Sequence, residues 1–445
     1  MRGSHVVVGS GLALLAAELF YAGSIAANTP PARPSIPYVA TRNDAVRDML
    51  WLGDVGKDDV VYDLGSGDGR IVLAAVRDFG ARRAVGVEND PNRIRQSRDS
   101  VQKANLTDRV EFIQGDLFAT DFSQASVVTL FLGHQPNIDL RPKILSTLRP
   151  GTRVLSHQFG MGEWEPDKAL TVRTVFLGMW GEMWNPYQDN PRVPDYSANE
   201  MHFGTSDKVL MWVVPGPVAG VWRGKIETPD GPRDYRLTLH QRLSEVSGAF
   251  ELPGATPLTG RIHGELWGDH VRYEGNPSGH PYGRFQIRFD GHVRENVLKG
   301  TLEITDPNRS YEVAWEGQRD KVSLAGQWEW TCATGDRPVR LRVERRAGRL
   351  VATYSDGNKQ VPVPDFYDFG GGFYFTLLIG REGSSLTVTE DTGWLIGEGV
   401  VDQGELRGMI DFYPYPRWDV PSGSDGKRTA RPEVHQDWTP RPIKP

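Results

Sequence analysis

The chain has 445 residues, a formal net charge of −6 and one cysteine, Cys332. Its length allows more than one domain, because single hydrophobic cores rarely grow beyond about 250–300 residues. The acidic balance gives no indication of a large nucleic-acid footprint, and the lone cysteine excludes an internal disulfide and a cysteine-rich zinc site.

Residues 1–27 are predicted to be a signal peptide or membrane anchor. Arg2 precedes a run over residues 6–27 that is apolar except for small residues and Glu18, and this run approaches the roughly 20 residues that cross a bilayer. A proline-rich linker follows over residues 28–37. These features predict membrane targeting or export, and the alternative is a cytoplasmic protein with a loosely structured N-terminal extension.

Residues 60–70 carry the pattern on which the domain prediction depends. They spell Val-Val-Tyr-Asp-Leu-Gly-Ser-Gly-Asp-Gly-Arg, an apolar strand that ends in three alternating glycines, and helical spacing begins at Ile71. A glycine turn between a strand and a helix lets the backbone approach a ligand without Cβ atoms in the way. Arg70 stands where the dinucleotide fingerprint needs a further glycine, so a nicotinamide or flavin site is disfavoured.

Three acidic residues end successive strands of the predicted sheet. Asp63 closes the strand before the glycine turn, Glu88 follows the apolar residues 84–87, and Asp116 follows residues 110–113. At βαβ spacing these acids meet at the carboxyl edge, where Glu88 would accept hydrogen bonds from both ribose hydroxyls of a nucleotide. The acids and the glycine turn together predict a nucleotide-type cofactor.

An acid followed by Gly-x-Gly-x-Gly, as in residues 63–69, resembles motif I of the seven-strand methyltransferases that bind S-adenosylmethionine (AdoMet). The resemblance implies AdoMet as the cofactor, with Asp116 accepting from the adenine amine and the backbone N–H of Leu117 meeting the ring. A narrower resemblance, to the archaeal broad-specificity protein-lysine methyltransferases and the mitochondrial lysine methyltransferases that act on an ATP-synthase subunit, extends over residues 36–41, 58–70, 127–132 and 149–157.

This narrower resemblance implies a monomeric domain that methylates lysine ε-amines, with Tyr38 and Thr41 lying over the cofactor. Ala40 departs from the proline usual in the family, and residues 133–137, Gly-His-Gln-Pro-Asn, depart on the wall that faces the nucleophile. Target specificity is therefore open. The predicted cofactor-binding residues are Tyr38, Thr41, Asp63, Gly65, Ser66, Gly67, Glu88, Asp116, Leu117 and Phe131.

No catalytic residue is predicted, because methyl transfer from a sulfonium depends mainly on position and on exclusion of water. A lysine acceptor must be neutral although its unperturbed pKa is about 10.4, and desolvation in an apolar channel lowers that pKa. The Asn-Pro-Pro-aromatic motif that indicates an adenine or glutamine nitrogen acceptor does not follow the fourth strand. His134 and His157 are candidate substrate contacts, with a structural role as the alternative.

Residues 160–206 collect aromatic and methionine residues and predict either a hairpin insertion over the sheet edge or a lid or docking surface for an apolar partner. A last strand over residues 209–214 closes the sheet, and residues 215–217 mark a boundary. Because all the motifs precede this boundary, the domain 38–216 is expected to bind AdoMet without the rest of the chain.

The remainder is predicted to be two copies of an antiparallel β meander, residues 217–318 and 319–422. Residues 219–222, Ala-Gly-Val-Trp, recur as Ala-Gly-Gln-Trp at 325–328, and a second motif recurs at nearly the same distance further on. Alternating segments between Gly, Asp and Pro turns indicate small barrels or sandwiches of a lipocalin-like or avidin-like plan. The histidines lack metal-ligand spacing, so no metal site is predicted, and residues 423–445 are predicted to be a disordered tail.

The sequence thus predicts an α/β, Rossmann-like seven-strand AdoMet methyltransferase domain followed by two antiparallel all-β repeats. Its predicted function is methylation of protein lysines by a monomer that does not bind nucleic acid. Two alternatives stay open: a small-molecule methyltransferase whose barrel or aromatic insertion holds an apolar acceptor, and an AdoMet-binding protein without turnover.

Overall fold

The computed structural model describes residues 36, 38–172, 208–254, 257–277, 286–306, 309–331, 338–346, 348–356, 359–382, 385–387, 393–414, 434–438 and 441–442. The chain forms two units, Met1–Val39 and Ala40–Pro445, and the elements below belong to the second. The predicted signal or anchor and most of the aromatic insertion lie outside the described residues. Within these ranges, no helix combines the length and the apolar character that a membrane crossing requires.

The first part of the second unit alternates helices with short strands, as the sequence predicts. Its elements are α1 (Asn43–Leu52), β1 (Val60–Leu64), α2 (Arg70–Arg77), β2 (Arg83–Glu88), α3 (Pro91–Lys103), β3 (Val110–Gln114), β4 (Val127–Leu130), α4 (His134–Thr147), β5 (Arg153–His157), β6 (Lys168–Thr171) and β7 (Lys208–Val213). Asp90 caps α3, since its side chain accepts from the Asn92 N–H at 2.8 Å. Arg42 occupies the N-cap of α1.

These strands form one sheet of seven, in the order β3-β2-β1-β4-β5-β7-β6. The first five of that order run parallel, and β7 is antiparallel to β5. All five residues of β1 are buried, which explains the uninterrupted apolar run at its start. The strand order reverses between β1 and β4, and open α/β sheets bind their ligands at the carboxyl edge beside such a switch point. The predicted Rossmann-like sheet of seven strands is confirmed.

Antiparallel strands make up the rest of the unit. They are β8 (Gly220–Thr228), β9 (Gly231–Arg242), β10 (Glu245–Leu252), β11 (Leu258–Trp267), β12 (His270–Pro277), β13 (Gln286–Arg294), β14 (Val297–Thr305), β15 (Ser310–Arg319), β16 (Gly326–Thr331), β17 (Pro338–Arg346), β18 (Arg349–Ser355), β19 (Gln360–Val363), β20 (Asp365–Asp368), β21 (Gly372–Glu382), β22 (Ser385–Thr387), β23 (Gly393–Asp402), β24 (Glu405–Pro414), β25 (Val434–Trp438) and β26 (Arg441–Pro442).

The first copy closes as a barrel of eight strands, β8 to β15, in which β15 pairs with both β14 and β8. Its strands alternate buried and exposed residues, as in β13, because one face of each strand points into the barrel. Large side chains fill the interior, among them Trp222, Tyr235, Phe250, Phe289 and Trp315. The barrel is therefore a packed core.

The second copy forms two sheets around one core. β19-β18-β17-β16-β26 make the first sheet, and β20-β21-β23-β24-β25, with β22 beside β21, make the second. The repeated tryptophans keep the same local contact: Trp222 Nε1 donates to Val218 O at 2.9 Å, and Trp328 Nε1 donates to Leu324 O at 3.4 Å. That the two regions are copies of one meander, with a lipocalin-like or avidin-like plan, stays a prediction.

The predicted disordered tail contains two strands. β25 pairs with β24, and β26 pairs with β16 near Trp328, so residues within 423–445 complete the second copy. The sequence prediction was wrong for these strands because it relied on their polar composition. Each strand is stabilised by backbone hydrogen bonds to the edge of a neighbouring strand that would otherwise be open, and composition does not reveal such pairing.

The sheet and the two β copies meet in tight junctions. Gly268, in the turn between β11 and β12, has φ +63°, and a Cβ atom there would lie 3.1 Å from the Cα of Gly151, just before β5. The first copy joins the second through Arg242, whose guanidinium binds Glu398 at 3.1 Å and Asp411 at 2.8 Å. The boundary at residues 215–217 therefore separates elements that remain in close contact.

Candidate active site

The glycine turn joins β1 to α2 at the carboxyl edge of the sheet. Gly65, Gly67 and Gly69 all have positive φ angles, of 83°, 53° and 80°. A Cβ atom on Gly65 would lie 2.6 Å from the side chain of Leu132, and the positive φ angle would strain any larger residue, so glycine is favoured here. The N–H groups of Gly65 and Ser66 donate to the carbonyl of Val87 at 2.8 and 2.9 Å, which folds the turn over the end of β2.

Asp63 lies buried at the end of β1, next to this turn. Its Oδ1 accepts from the Thr129 hydroxyl at 2.7 Å, whereas within the described part of the chain its Oδ2 has no hydrogen-bond partner. Burial raises the pKa of Asp63 to about 7, although the Thr129 hydrogen bond opposes this shift. The buried hydroxyl of Ser66 likewise has no partner among the described residues.

Glu88 ends β2 and is tied to the turn by its carboxylate. Oε2 accepts from the Gly67 N–H at 2.9 Å, and Oε1 accepts from the N–H groups of Asn89 and Asp90, each at 2.9 Å. The structure thus brings the predicted ribose acid against the predicted glycine turn. The three donors fix the orientation of the carboxylate.

Asp116 and Leu117 lie in the loop after β3, next to the end of β2. The Gly115 N–H donates to the Glu88 carbonyl at 3.0 Å, so the backbones of the two loops are in contact. Asp116 is exposed, and its Oδ1 accepts from the Phe118 N–H at 2.9 Å, while Leu117 is half-buried. The predicted adenine-binding pair therefore lies at the same edge as Glu88, on its solvent side.

The segment before α1 reaches the glycine turn through Arg70. Its Nη1 donates to the carbonyl of Thr41 at 2.8 Å, and its Nη2 binds Asp68 at 2.7 Å. Thr41 itself is buried. Tyr38 belongs to the separate unit Met1–Val39, so its contact with the cofactor stays a prediction.

Three aromatic rings line the carboxyl ends of β4 and β5, and we call them the aromatic wall: Phe131, His157 and Phe159. The ring centroid of Phe131 lies 4.3 Å from that of His157 and 5.9 Å from that of Phe159. Gln158 between them has φ +68°, and the Phe159 N–H donates to the His157 carbonyl at 2.9 Å, which makes a strained γ-turn.

The aromatic wall includes one predicted site residue and one predicted substrate contact, Phe131 and His157. Phe159 was missed, although an aromatic residue just beyond the end of β5 was a usable signal. His134, the other predicted substrate contact, is exposed at the start of α4.

The arrangement suits the cofactor that the motif implies. The glycines of the turn have no side chains that would keep a ligand away from the backbone. Two buried polar groups, the Asp63 carboxylate and the Ser66 hydroxyl, each have an atom without a partner among the described residues that can form a hydrogen bond with a polar ligand. Glu88 is fixed beside them. These residues fit AdoMet.

Comparison with known proteins decides the family. Residues 63–168 match the family described as ANTKMT methyltransferase domain. A protein-lysine N-methyltransferase of Saccharolobus islandicus is 43% identical over 155 residues, which are 34% of this chain and 96% of that protein. The chain belongs to this methyltransferase family. It is an AdoMet-dependent methyltransferase, and AdoMet is its cofactor.

Further relatives of this methyltransferase match about a third of the chain. A Xenopus laevis lysine N-methyltransferase named for the c-subunit of ATP synthase is 31% identical over 148 residues, 32% of this chain and 64% of that protein. The adenine nucleotide translocase lysine N-methyltransferase of Mus musculus is 35% identical, over 31% of this chain and 58% of that protein. A solved structure of an RNA methyltransferase from Salinibacter ruber with S-adenosylhomocysteine has 40% identity, covers 40% of this chain and 96% of that one, and superposes with a TM-score of 0.32.

The raised pKa of Asp63 predicts that AdoMet binding weakens as the pH falls below about 7. A protonated carboxyl does not attract the cationic groups of AdoMet, so Asp63→Asn should bind weakly at pH 8 and lose the pH dependence between pH 6 and 8. Calorimetric titration at both pH values measures this. A wild-type affinity that is the same at pH 6 and 8 would contradict the prediction.

The same shift has a consequence for the unliganded protein. The pKa of Asp63 in the folded state lies above its ordinary value of 3.8, so this residue stabilises the fold below about pH 4 relative to neutral pH. That contribution is lost as the pH rises through about 7. Asp63→Asn should therefore unfold at higher urea concentration than the wild type at pH 8, and the two should differ less at pH 5.

Proposed function

We propose that this methyltransferase transfers methyl groups to lysine ε-amines of proteins. The names of the relatives support the acceptor class: those from Saccharolobus islandicus, Xenopus laevis and Mus musculus are all called lysine methyltransferases. The first of them aligns with this chain over nearly its whole length.

The observation that carries the proposal is the aromatic wall beside the cofactor edge. Phe131 and Phe159 are half-buried, and the buried His157 packs against Phe131, so the two phenyl rings offer an apolar surface at the carboxyl edge of the sheet. An amine that enters such a surface loses hydration, which lowers its pKa and favours the neutral, nucleophilic form. A lysine acceptor therefore needs no dedicated base.

The residues of the chain divide the work between them. Bound AdoMet supplies an activated methyl group. The glycine turn, Asp63 and Glu88 would bind and orient the cofactor, while the aromatic wall would orient the acceptor and exclude water. In this proposal the protein positions the cofactor and the acceptor and removes water from the acceptor amine. No side chain of the site has to act as the base that deprotonates the lysine.

A small-molecule acceptor held in the barrel is the weaker candidate. The interior of the first barrel is filled by side chains such as Trp222 and Trp315, both about 1% exposed or less. A protein that binds AdoMet without turnover is disfavoured because the acids at positions 63, 88 and 116 are all present. Membrane targeting through residues 1–27 remains part of the proposal and rests on the sequence pattern alone.

Labelling with methyl-tritiated AdoMet tests the acceptor class. The purified protein is incubated with a lysate, and label is expected in the protein fraction as methylated lysine after acid hydrolysis. The matched control is the same lysate with its amines blocked beforehand by acetylation with acetic anhydride, which should remove the signal. Label that is sensitive to nuclease, or that passes an ultrafiltration membrane, would contradict the proposal.

A further inference from the structure

The residue Arg141 of α4 is buried, charged and used by none of the steps above. Its side chain is fully shielded from solvent. It lies one helical turn after Asn137, so the two side chains project from the same face of the helix. Each of the five N–H groups of its guanidinium has an acceptor. The acceptors are Met161 O at 2.9 Å, Glu163 Oε2 at 2.5 Å, Asp365 Oδ2 at 2.6 Å, Tyr367 Oη at 3.0 Å and Thr376 Oγ1 at 3.5 Å.

These acceptors come from two regions that are far apart in the sequence. Met161 and Glu163 belong to the segment between β5 and β6, residues 158–167, which we call the β5 loop. The other three acceptors lie on β20 and β21 of the second β copy. Burial alone would lower the pKa of Arg141, but Glu163 and the neighbouring acids outweigh it and raise the pKa, so the guanidinium is a permanent cation in this junction.

The β5 loop is held along its length. At its start, Asn137 Nδ2 donates to Phe159 O and to Ser156 Oγ, each at 3.0 Å. Further on, the Tyr374 hydroxyl of β21 donates to Glu163 Oε1 at 3.0 Å, and Trp164 Nε1 donates to the Ser244 hydroxyl of the first barrel at 2.9 Å. Hydrogen bonds from both β copies therefore hold the loop that carries Phe159.

The same loop begins with the strained γ-turn at Gln158, which places the ring of Phe159 beside Phe131. A strained backbone persists only where its surroundings impose it. The hydrogen bonds of Asn137 fix the loop immediately after this turn, and those of Arg141 fix it one step later. The position of Phe159 in the aromatic wall thus depends on contacts that lead to the β copies.

We propose that Arg141 is a positioning residue for acceptor binding, which fixes the β5 loop, and with it Phe159, against the second β copy. This inference rests on the proposed function in placing the acceptor at the aromatic wall. The family match covers residues 63–168 of the sheet domain, whereas three of the five acceptors of Arg141 lie in the β region. The β region is then part of the acceptor site, in addition to any role in recruiting a target.

The test uses the full chain and two variants on the two sides of the junction. Arg141→Met removes the cation, and Tyr374→Phe removes only the hydroxyl that holds Glu163. The matched control is Tyr235→Phe, because Tyr235 is equally buried and loses one hydroxyl contact, to Tyr273 at 3.0 Å, inside the first barrel. If Arg141→Met does not fold, Tyr374→Phe alone carries the test.

Three quantities are measured. The Kd for AdoMet is expected to stay within twofold of the wild type in all variants. The KM for a synthetic peptide with a single lysine should rise at least tenfold in Arg141→Met and at least threefold in Tyr374→Phe, with kcat at saturating peptide changed less than KM. Amide hydrogen exchange over residues 157–164 should speed up at least tenfold in both, and the control should match the wild type throughout.

An unchanged peptide KM together with faster loop exchange would overturn the inference, since the loop would then be ordered by Arg141 without serving the acceptor. Unchanged exchange in the loop would overturn it as well. If the wild type transfers no methyl group to the peptide, the proposed lysine activity fails. In that case exchange decides the inference: faster exchange confined to residues 157–164 supports positioning by Arg141, and exchange that is unchanged or faster everywhere refutes it.

Discussion

Replacing Glu88 by alanine is expected to lower the affinity for AdoMet about a hundredfold. The change removes the carboxylate that would bind the ribose and also the acceptor for three backbone N–H groups, of which the Gly67 N–H belongs to the glycine turn. A hydrogen bond to a charged group contributes roughly 1.5–3 kcal/mol, and each 1.4 kcal/mol corresponds to about a factor of ten in affinity. Calorimetric titration measures the loss.

Two further variants serve as controls for this prediction. Asp116→Ala should weaken binding about tenfold or less, because Asp116 is exposed and solvent competes for its contacts. Glu88→Gln should fall between the wild type and Glu88→Ala, since the amide keeps one acceptor oxygen but presents an NH2 group to donors. An affinity for Glu88→Ala that is within threefold of the wild type would show that the ribose is bound elsewhere.

Ending the chain at Pro217 is expected to yield an aggregated protein. The sequence predicted that the sheet domain would bind AdoMet without residues 218–445, on the assumption that few contacts cross the boundary. Trp164 is 1% exposed and donates to Ser244 of the first barrel, and Val213 lies near Gly268. Truncation would uncover these apolar side chains, and large exposed apolar patches promote association.

Size-exclusion chromatography of the fragment measures this outcome. Coexpression of residues 218–445 as a second chain is the matched control, and it should return soluble protein because the junction contacts are noncovalent. A soluble, monomeric fragment with the affinity of the full chain for AdoMet would restore the original prediction and would mean that the junctions add nothing to the folding of the sheet.

The sequence predicted the parts of the site whose residues form short patterns along the chain. The glycine turn follows its strand directly, and Asp63 and Glu88 each end a strand, so spacing along the chain was enough to bring them together at one edge. The β-rich character of the remainder was also detectable, and the two tryptophans that suggested a repeat, Trp222 and Trp328, make the same local hydrogen bond.

The parts that escaped prediction depend on partners that are distant in the sequence. Arg141 meets Asp365 and Tyr367 more than 200 positions further along the chain, and a single arginine on a helix gives no sign of where its acceptors lie. β25 and β26 were assigned to a disordered tail because their composition is polar, yet edge strands are stabilised by pairing more than by their own hydrophobicity. Both misses are long-range pairings between polar groups, which leave no periodic signal.

The contact of Gly268 with Gly151 also bears on how this enzyme would choose among acceptors. Main chain meets main chain there with no side chain in between, so the junction leaves little space for the barrel to shift against the sheet. We expect this close backbone packing to keep the barrel and the sheet in one relative orientation. Acceptors would then be selected by their fit to a fixed site, and the segment of the acceptor that carries the lysine would supply the required flexibility.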